Sequence, residues 1–126
     1  MTSLSPGMTA QAACLLEVSA WKPGNVHRFA DFGDLDYLDF LLAAAAIAGP
    51  LDQAATSGIG QAVLSAVEAT RRLVATNANL GMILLLAPMA AVPRDEALAD
   101  GLPRVLAATT LDDARRVYQA IRLANP

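Results

Sequence analysis

Residues 58–76 read GIGQAVLSAVEATRRLVAT, and this stretch carries the clearest amphipathic pattern in the chain. The positions expected to face inward recur every three or four residues, at Ile59, Val63, Val67, Thr70 and Val74. That spacing is typical of an α-helix that buries one face. The charged residues Glu68, Arg71 and Arg72 are therefore placed on the outer face, toward water. The stretch predicts one amphipathic helix in a helical protein.

Two helices are predicted upstream of this stretch. Ser5 followed by Pro6 is typical of an N-cap and a first helical position, which predicts a helix that runs to about Ala20. On the inner face of this helix we expect Met8, Ala12 and Leu15. The second helix is expected over residues 35–48. It should end at Gly49-Pro50, because proline cannot continue the hydrogen-bond ladder.

Four helices are predicted downstream. Residues 80–91 are apolar on every side, so we expect a buried helix that Pro88 kinks or ends. Two short helices follow over 94–99 and 103–108, and residues 110–113, Thr-Leu-Asp-Asp, resemble a capping box that starts the last helix. Its inward positions are expected at Ala114, Val117, Ile121 and Ala124. The sequence shows no period-2 strand pattern, so the predicted fold is all-α, a compact multi-helix bundle.

The composition favours a single helical domain over residues 1–126. Hydrophobic residues make up 55% of the chain and charged residues 17%, which argues against disorder. Aromatic residues make up only 5%, which favours packed helices over a β-sandwich. The mean hydropathy of +0.40 is high for a domain of this size. We therefore expect part of the apolar surface to be covered, by a second copy in a homo-oligomer or by further chain.

Charge, the length of the apolar runs and cysteine content argue against a nucleic-acid-binding protein, a membrane protein and a disulfide-bonded protein. A net charge of −3 and a pI of about 4.9 oppose a nucleic-acid partner, which would need a basic surface. The longest apolar runs, 40–48 and 80–87, fall short of the roughly 20 residues that a membrane span needs. With no export signal at the N-terminus, we expect no membrane partner and a cytoplasmic location. Cys14 is the only cysteine, so we expect a buried, reduced thiol.

Polar and charged residues are concentrated between the first two predicted helices. Residues 22–27 read Lys-Pro-Gly-Asn-Val-His, a turn whose Pro-Gly pair can bring backbone N–H groups close to a ligand. Lys22 can neutralise a phosphate as a point charge, and a solvated surface lysine is the alternative interpretation. His27 is the only histidine and so the one candidate for an imidazole-dependent step, unless it is a hydrogen-bonded structural residue.

Carboxylates gather just after this turn, at Asp31, Asp34, Asp36 and Asp39. One or two of them can hold Mg²⁺ while phosphate oxygens complete its octahedral shell. The alternative is a solvated helix start, which we favour for Asp36 and Asp39 and leave open for Asp31 and Asp34. Glu17, near the end of the first helix, can orient Lys22 or ligate the metal, or it is an exposed helical glutamate.

A second polar break, Asn77-Ala78-Asn79, separates helix 58–76 from the apolar helix. Asparagine caps helices and tolerates the left-handed conformation, so a structural role suffices for both residues. The functional alternative is that amide groups beside the new helix N-terminus bind phosphate or ribose oxygens, and that Gly81 lets a ligand approach closely. We expect the two breaks, at 22–34 and 77–81, to meet in space as one anion pocket.

These motifs occur together in a recognisable order. They are Glu17, Lys22-Pro23-Gly24-Asn25-Val26, Asp31-Phe32, Asn77-Ala78-Asn79-Leu80-Gly81 and Leu84-Leu85-Leu86-Ala87-Pro88, followed by Asp113-Ala114, Val117-Tyr118 and Ala120-Ile121-Arg122. The chain thereby resembles the triphosphoribosyl-dephospho-CoA synthase family over nearly its whole length. The family domain is longer, so we expect this chain to correspond to its N-terminal part and to be incomplete relative to it.

The resemblance implies an all-helical enzyme. Members of the family transfer a 5-triphosphoribosyl group from ATP, used as a substrate, to 3′-dephospho-CoA and release adenine, which makes a prosthetic-group precursor. The resemblance implies that Lys22 and Asn25 face phosphates, that Asp31 and Asp34 assist Mg²⁺ or the ribose, and that Asn77 and Asn79 hold the nucleotide. Together with the candidates from the residues above, the expected binding residues are Lys22, Gly24, Asn25, Asn77, Asn79 and Gly81, the expected catalytic residues are Asp31, Asp34 and His27, and the expected Mg²⁺ ligands are Asp31, Asp34 and Glu17.

Two other functions remain open at this stage. Ala78 stands where the family usually has threonine between two asparagines, which removes a hydroxyl that can bind phosphate or metal. One alternative is therefore a non-catalytic helical module for oligomerisation or interaction. The other is an ATP-binding relative that acts on another cofactor precursor, such as a pterin-type compound.

Overall fold

The computed structural model describes residues 3–20 and 37–126, and within these ranges the chain forms α-helices and no strand. The helices are α1 Pro6–Ser19, α2 Tyr37–Asp52, α3 Ala54–Ser57, α4 Ile59–Leu73, α5 Leu80–Ala90, α6 Leu98–Ala107 and α7 Leu111–Ala124. The predicted all-α bundle is confirmed, and so is the amphipathic helix, which is α4. Its inward positions are buried as expected, and Val74 is its buried C-cap.

Helices α1 and α2 form an antiparallel hairpin. Ser5 caps α1 as predicted, since its side chain accepts the Met8 N–H at 3.1 Å. The Gly7 N–H donates to Asp52 Oδ1 at 2.7 Å, which joins the start of α1 to the end of α2. The helices approach so closely here that a Cβ at Gly7 would lie 1.8 Å from the Ala48 carbonyl oxygen. Only glycine fits this crossing.

Helix α4 is the central element of the bundle, because it packs against both α2 and α7. Its start lies beside the start of α7, where the Gly60 N–H donates to Asp113 Oδ1 at 2.9 Å. Near its other end, Val67 and Thr70 line a crevice together with Ala124, the last residue of α7. Helices α4 and α7 therefore run parallel to each other.

The bundle has two chemically different ends. One, which we call the capped end, holds Gly7, Asp52, Gly60 and Asp113, joined by the bonds just described. The other, which we call the junction end, holds Ser19, Tyr37, Ala124 and the 74–79 connection between α4 and α5. At this end the Ser19 and Tyr37 hydroxyls lie 2.9 Å apart and close the α1–α2 hairpin.

The expected end of the second helix at Gly49-Pro50 is wrong. Helix α2 continues through Pro50 to Asp52. Gly49 has no Cβ to clash with the proline ring, which removes one of the two reasons why a helix ends before proline. Leu51 is fully buried and Asp52 accepts the Gly7 N–H, so tertiary contacts hold the last turn in place.

The expectation that the apolar helix is buried on every side is also wrong. In α5 the buried residues are Leu80, Ile83, Ala87 and Ala90, which form one face, while the side chain of Leu85 is 62% exposed. Pro88 lies inside the helix, which ends two residues later. In the part of the chain that the structure describes, no helix combines the length and apolarity that crossing a membrane requires.

Three smaller expectations also need correction. Helix α1 packs through its smallest residues, so Met8 is 48% exposed and Gly7, Ala10, Cys14 and Val18 are buried instead. The two short helices expected over 94–99 and 103–108 are a single helix, α6, with Pro103 inside it. In α7 the capping box is present, but Ala120 is buried and Ala114 is exposed.

Candidate functional site

Most of the predicted site residues lie outside the described residues. These are Lys22, Gly24, Asn25, His27, Asp31, Asp34 and Asp36. The structure does describe both flanks of this segment, at Ser19 and Tyr37, whose hydroxyls meet at the junction end. It also describes the predicted site residues Glu17, Asn77, Asn79 and Gly81.

Two carboxylates lie on the flanks of the 21–36 segment. Glu17 is exposed in the last turn of α1, and Asp39 lies in the first turn of α2, where the helix dipole favours a negative charge.

Burial, and secondly the charge of Glu17, raise the pKa of Cys14 to about 11, so this buried thiol stays protonated at neutral pH. Among the described residues, no group of three or more acidic, histidine or cysteine side chains could hold a metal ion.

Asn77 caps the start of α5. Its Oδ1 accepts the Leu80 N–H at 3.1 Å, which satisfies one of the donors that the first turn of a helix leaves unpaired. The capping role that the sequence allowed for Asn77 is thus present in the structure. Its amide nitrogen is the group that remains to meet a ligand.

Asn79 turns its side chain into the bundle. Its Nδ2 donates to the Ala43 carbonyl at 3.0 Å and lies 3.5 Å from Thr70 Oγ1, and the residue is only 8% exposed. Thr70 in turn donates to the Ala66 carbonyl, so its hydroxyl oxygen can accept from Asn79. Asn79 therefore joins α2, α4 and the start of α5. Helical spacing predicts that Thr70 faces inward. It does not predict that Thr70 contacts Asn79, which lies in the connection between α4 and α5.

The same contact relates the two polar breaks to each other. Ala43 lies six residues beyond Tyr37, which is about 9 Å along the axis of α2. The flank of the 21–36 segment at Tyr37 and the 77–81 break therefore lie in the same half of the bundle. This is the arrangement that a shared site would require of the described residues.

The start of α5 faces open space. A Cβ added at Gly81 would meet nothing within 4 Å, and the residue is exposed. Within the described residues, no acceptor bonds the N–H groups of Gly81 and Met82, whereas the Ile83 N–H bonds the Asn79 carbonyl at 2.9 Å. Free N–H groups and the positive end of the helix dipole make such a start suited to an anion.

The space at the junction end is small in the part of the chain that the structure describes. The crevice beside Asn77 and Asn79 has a volume of about 10 Å³, room for a single water molecule. Larger spaces of 410 Å³ and 270 Å³ lie elsewhere, one along α1 and α5 and one near the start of α4. Their charged groups already have partners, since Arg94 donates to Ser3 and Arg104 pairs with Glu96. We therefore place the candidate site at the junction end rather than in the larger spaces.

Comparison with known proteins connects this geometry to a family. The family model CitG, described as ATP:dephospho-CoA triphosphoribosyl transferase, matches residues 4–126, nearly the whole chain. No curated protein and no solved structure matches the chain. The match includes both polar breaks and every helix described above. The chain therefore belongs to the ATP:dephospho-CoA triphosphoribosyl transferase family.

Proposed function

We propose that this protein transfers the 5-triphosphoribosyl group of ATP to 3′-dephospho-CoA and releases adenine. The family match over residues 4–126 is the observation that carries this proposal. The contact of Asn79 with Ala43 supports it, because it joins the 77–81 break to the part of α2 that follows the 21–36 segment. We also propose that residues 1–126 form one domain, since the buried core includes residues from α1, α2, α4, α5 and α7.

The triphosphate is the most highly charged part of the donor, and we assign it to the cationic and N–H groups of the site. Lys22 and Asn25, with the backbone at Gly24, would bind its oxygens from the 21–36 segment. The start of α5 would face the same group through the Gly81 N–H. Asn77 and Asn79 keep that helix start in position through their bonds to Leu80 and Ala43.

A divalent cation fits the donor set proposed for this site. Glu17, Asp31 and Asp34 offer carboxylate oxygens, the hard ligands that Mg²⁺ prefers, and phosphate oxygens of ATP would complete its shell. When bound, Mg²⁺ would neutralise part of the triphosphate charge. The carboxylates of this chain would fix its place relative to the ribose.

The reaction exchanges one bond at the anomeric carbon of ribose for another. The bond from C1′ to the adenine nitrogen breaks, its electron pair leaves with adenine, and an oxygen of the acceptor bonds to C1′. The acceptor hydroxyl loses its proton and the departing adenine gains one. A carboxylate such as Asp31 or Asp34 would stabilise the positive charge that develops on the sugar, and His27 is the candidate for moving the proton.

Adenine release tests the proposal directly. The folded chain is incubated with ATP, Mg²⁺ and 3′-dephospho-CoA, adenine is measured by liquid chromatography, and the product mass is determined. We expect adenine and a product heavier than the acceptor by one triphosphoribosyl group, both absent without dephospho-CoA. If the folded chain releases no adenine, the proposed reaction is wrong. A different product mass with adenine release would indicate another acceptor, such as a pterin-type precursor.

The exposed apolar face of α5 favours one other function. Leu85 is 62% exposed on a helix that carries no charged residue, a surface that a second copy or another protein could cover. The second candidate is therefore a non-catalytic helical module. Native mass spectrometry separates the two, because a monomer that releases adenine would contradict the module.

A further inference from the structure

Among the described residues, a single charged one lines the crevice at the α4–α5 connection. This residue is Arg71, which lies there with Thr76, Asn77 and Leu80. The neighbouring Arg72 is exposed and does not line the crevice. The spacing of α4 placed both arginines on its outer face, whereas the structure brings only one of them to the start of α5.

The guanidinium of Arg71 is held beside the connection. Its Nη1 donates to the Ala75 carbonyl, and the side chain is half-buried. This bond uses one of the several N–H donors of the group and leaves the others unused. Arg71 is therefore positioned over the connection with donors to spare.

Arg71 forms no ion pair with a described carboxylate. Glu68 stands three positions before it without pairing with it, and the next acidic residue in the sequence is Asp95. Two other described arginines do pair with carboxylates, Arg104 with Glu96 and Arg116 with Asp112. Arg71 makes no such pair with a described residue. A guanidinium that forms no ion pair, and that lines the same crevice as Leu80 at the start of α5, is suited to bind an oxyanion.

We propose that Arg71 binds a phosphate of the ATP triphosphate, at the outer rim of the crevice and together with the Gly81 and Met82 N–H groups. This assignment rests on the proposed function and adds a phosphate-binding residue to it. The crevice itself has room only for water, so the phosphate lies against the rim, where a Cβ at Gly81 would also find open space. A guanidinium can bind two phosphate oxygens at once, which the point charge of a lysine cannot.

Two variants of equal charge test the assignment. Arg71→Gln and Arg72→Gln each remove one positive charge from adjacent positions of α4. Binding of inorganic triphosphate is measured by calorimetry and the KM for ATP by adenine release. We expect Arg71→Gln to weaken both about tenfold or more, since a hydrogen bond to a charged group is lost. Arg72→Gln should change both less than twofold, and adenosine should inhibit all variants equally.

Arg71→Lys separates phosphate binding from a structural role at the end of α4. It keeps the charge but loses the planar fork, so we expect triphosphate binding between that of the wild type and that of Arg71→Gln. Melting temperatures of all variants are measured alongside. Equal effects of Arg71→Gln and Arg72→Gln, or no triphosphate binding by the wild type, would overturn the assignment. Triphosphate binding that depends on Arg71 without adenine release would retain it and contradict only the proposed reaction.

Discussion

The two ends of the bundle treat their helix starts differently. At the capped end, carboxylates of the chain accept N–H groups that the helix starts would otherwise leave unpaired: Asp52 bonds Gly7, and Asp113 bonds Gly60 and Thr110. At the junction end, Asn77 satisfies only the first donor of α5. The following N–H groups have no acceptor among the described residues.

The comparison shows that the unpaired N–H groups of a helix start can form a structural contact at one end of the bundle and can be left unbonded by the chain at the other. Unpaired N–H groups at a helix start attract negative charge. Where the chain provides that charge, the helix start is a structural joint. At the start of α5, no described carboxylate accepts these N–H groups and Arg71 lines the adjacent crevice, and our proposal is that an external anion binds there. The predictions below test whether the capped end determines stability and the junction end determines activity.

The largest expected effect is on catalysis. Asp31→Asn removes the charge proposed to stabilise the developing positive charge on ribose, so we expect kcat to fall about 10²-fold, which corresponds to about 2.7 kcal/mol. The melting temperature should stay close to that of the wild type. Adenine release under saturating ATP measures the effect. A variant with wild-type kcat would remove Asp31 from the proposed mechanism.

The sharpest stability test uses two glycines at the second position of a helix. Gly7→Ala places a Cβ against the Ala48 backbone and should cost about 2–3 kcal/mol by overpacking. Gly81→Ala meets open space, and alanine favours a helix, so stability should be unchanged or rise by up to about 1 kcal/mol. Urea denaturation of both variants gives the comparison. Equal costs would contradict the close α1–α2 crossing.

Within the junction end, the two asparagines should differ in their effect on stability. Asn79→Ala removes a buried hydrogen bond that joins the start of α5 to the Ala43 carbonyl, so we expect a loss of about 1–2 kcal/mol. Asn77→Ala removes a half-buried cap and should cost about 0.5–1 kcal/mol. Thermal and urea unfolding measure both losses. A larger loss for Asn77 would mean that the inward bonds of Asn79 do not hold α5 in place.

The smallest expected effect is a pH dependence at the capped end. The hydrogen bond from the Thr110 N–H, aided by the Gly60 N–H, lowers the pKa of Asp113 despite its partial burial. Its stabilisation is therefore complete above the unfolded-state pKa of about 3.9 and is lost as pH falls through the lower folded pKa. Asp113→Asn should flatten this part of the stability curve in urea titrations between pH 7 and pH 2. If the free energy of unfolding of Asp113→Asn falls at low pH as steeply as that of the wild type, Asp113 does not contribute to the pH dependence.

Local signals in the sequence were reliable where the neighbouring residues alone decide the structure. Helix α4, the Ser5 cap and the Thr110 capping box all depend on residues within one turn, and all are present. Expectations failed where a distant segment contributes. Helix α2 passes Pro50 because Leu51 and Asp52 contact other elements, and α1 turns its small residues rather than Met8 toward α2.

The same distinction holds for the candidate site. The Asn77-Ala78-Asn79 break and its place before a helix were predicted from the sequence. The inward turn of Asn79 and the approach of Arg71 to the crevice were not, because each depends on how α2, α4 and α5 pack. The predicted residues of the 21–36 segment stay predictions, since they lie outside the described residues.

The sequence by itself determined the all-α class, the positions of the polar breaks and the family motifs, because helical periodicity, caps and motif order are properties of neighbouring residues. Only the tertiary structure decided which helix faces are buried, which asparagine supports the fold and which arginine lines the crevice at the start of α5. These choices depend on contacts between residues far apart in the chain, such as Asn79 with Ala43 and Gly60 with Asp113. Helical spacing alone does not encode such contacts, because many partners would satisfy the same pattern.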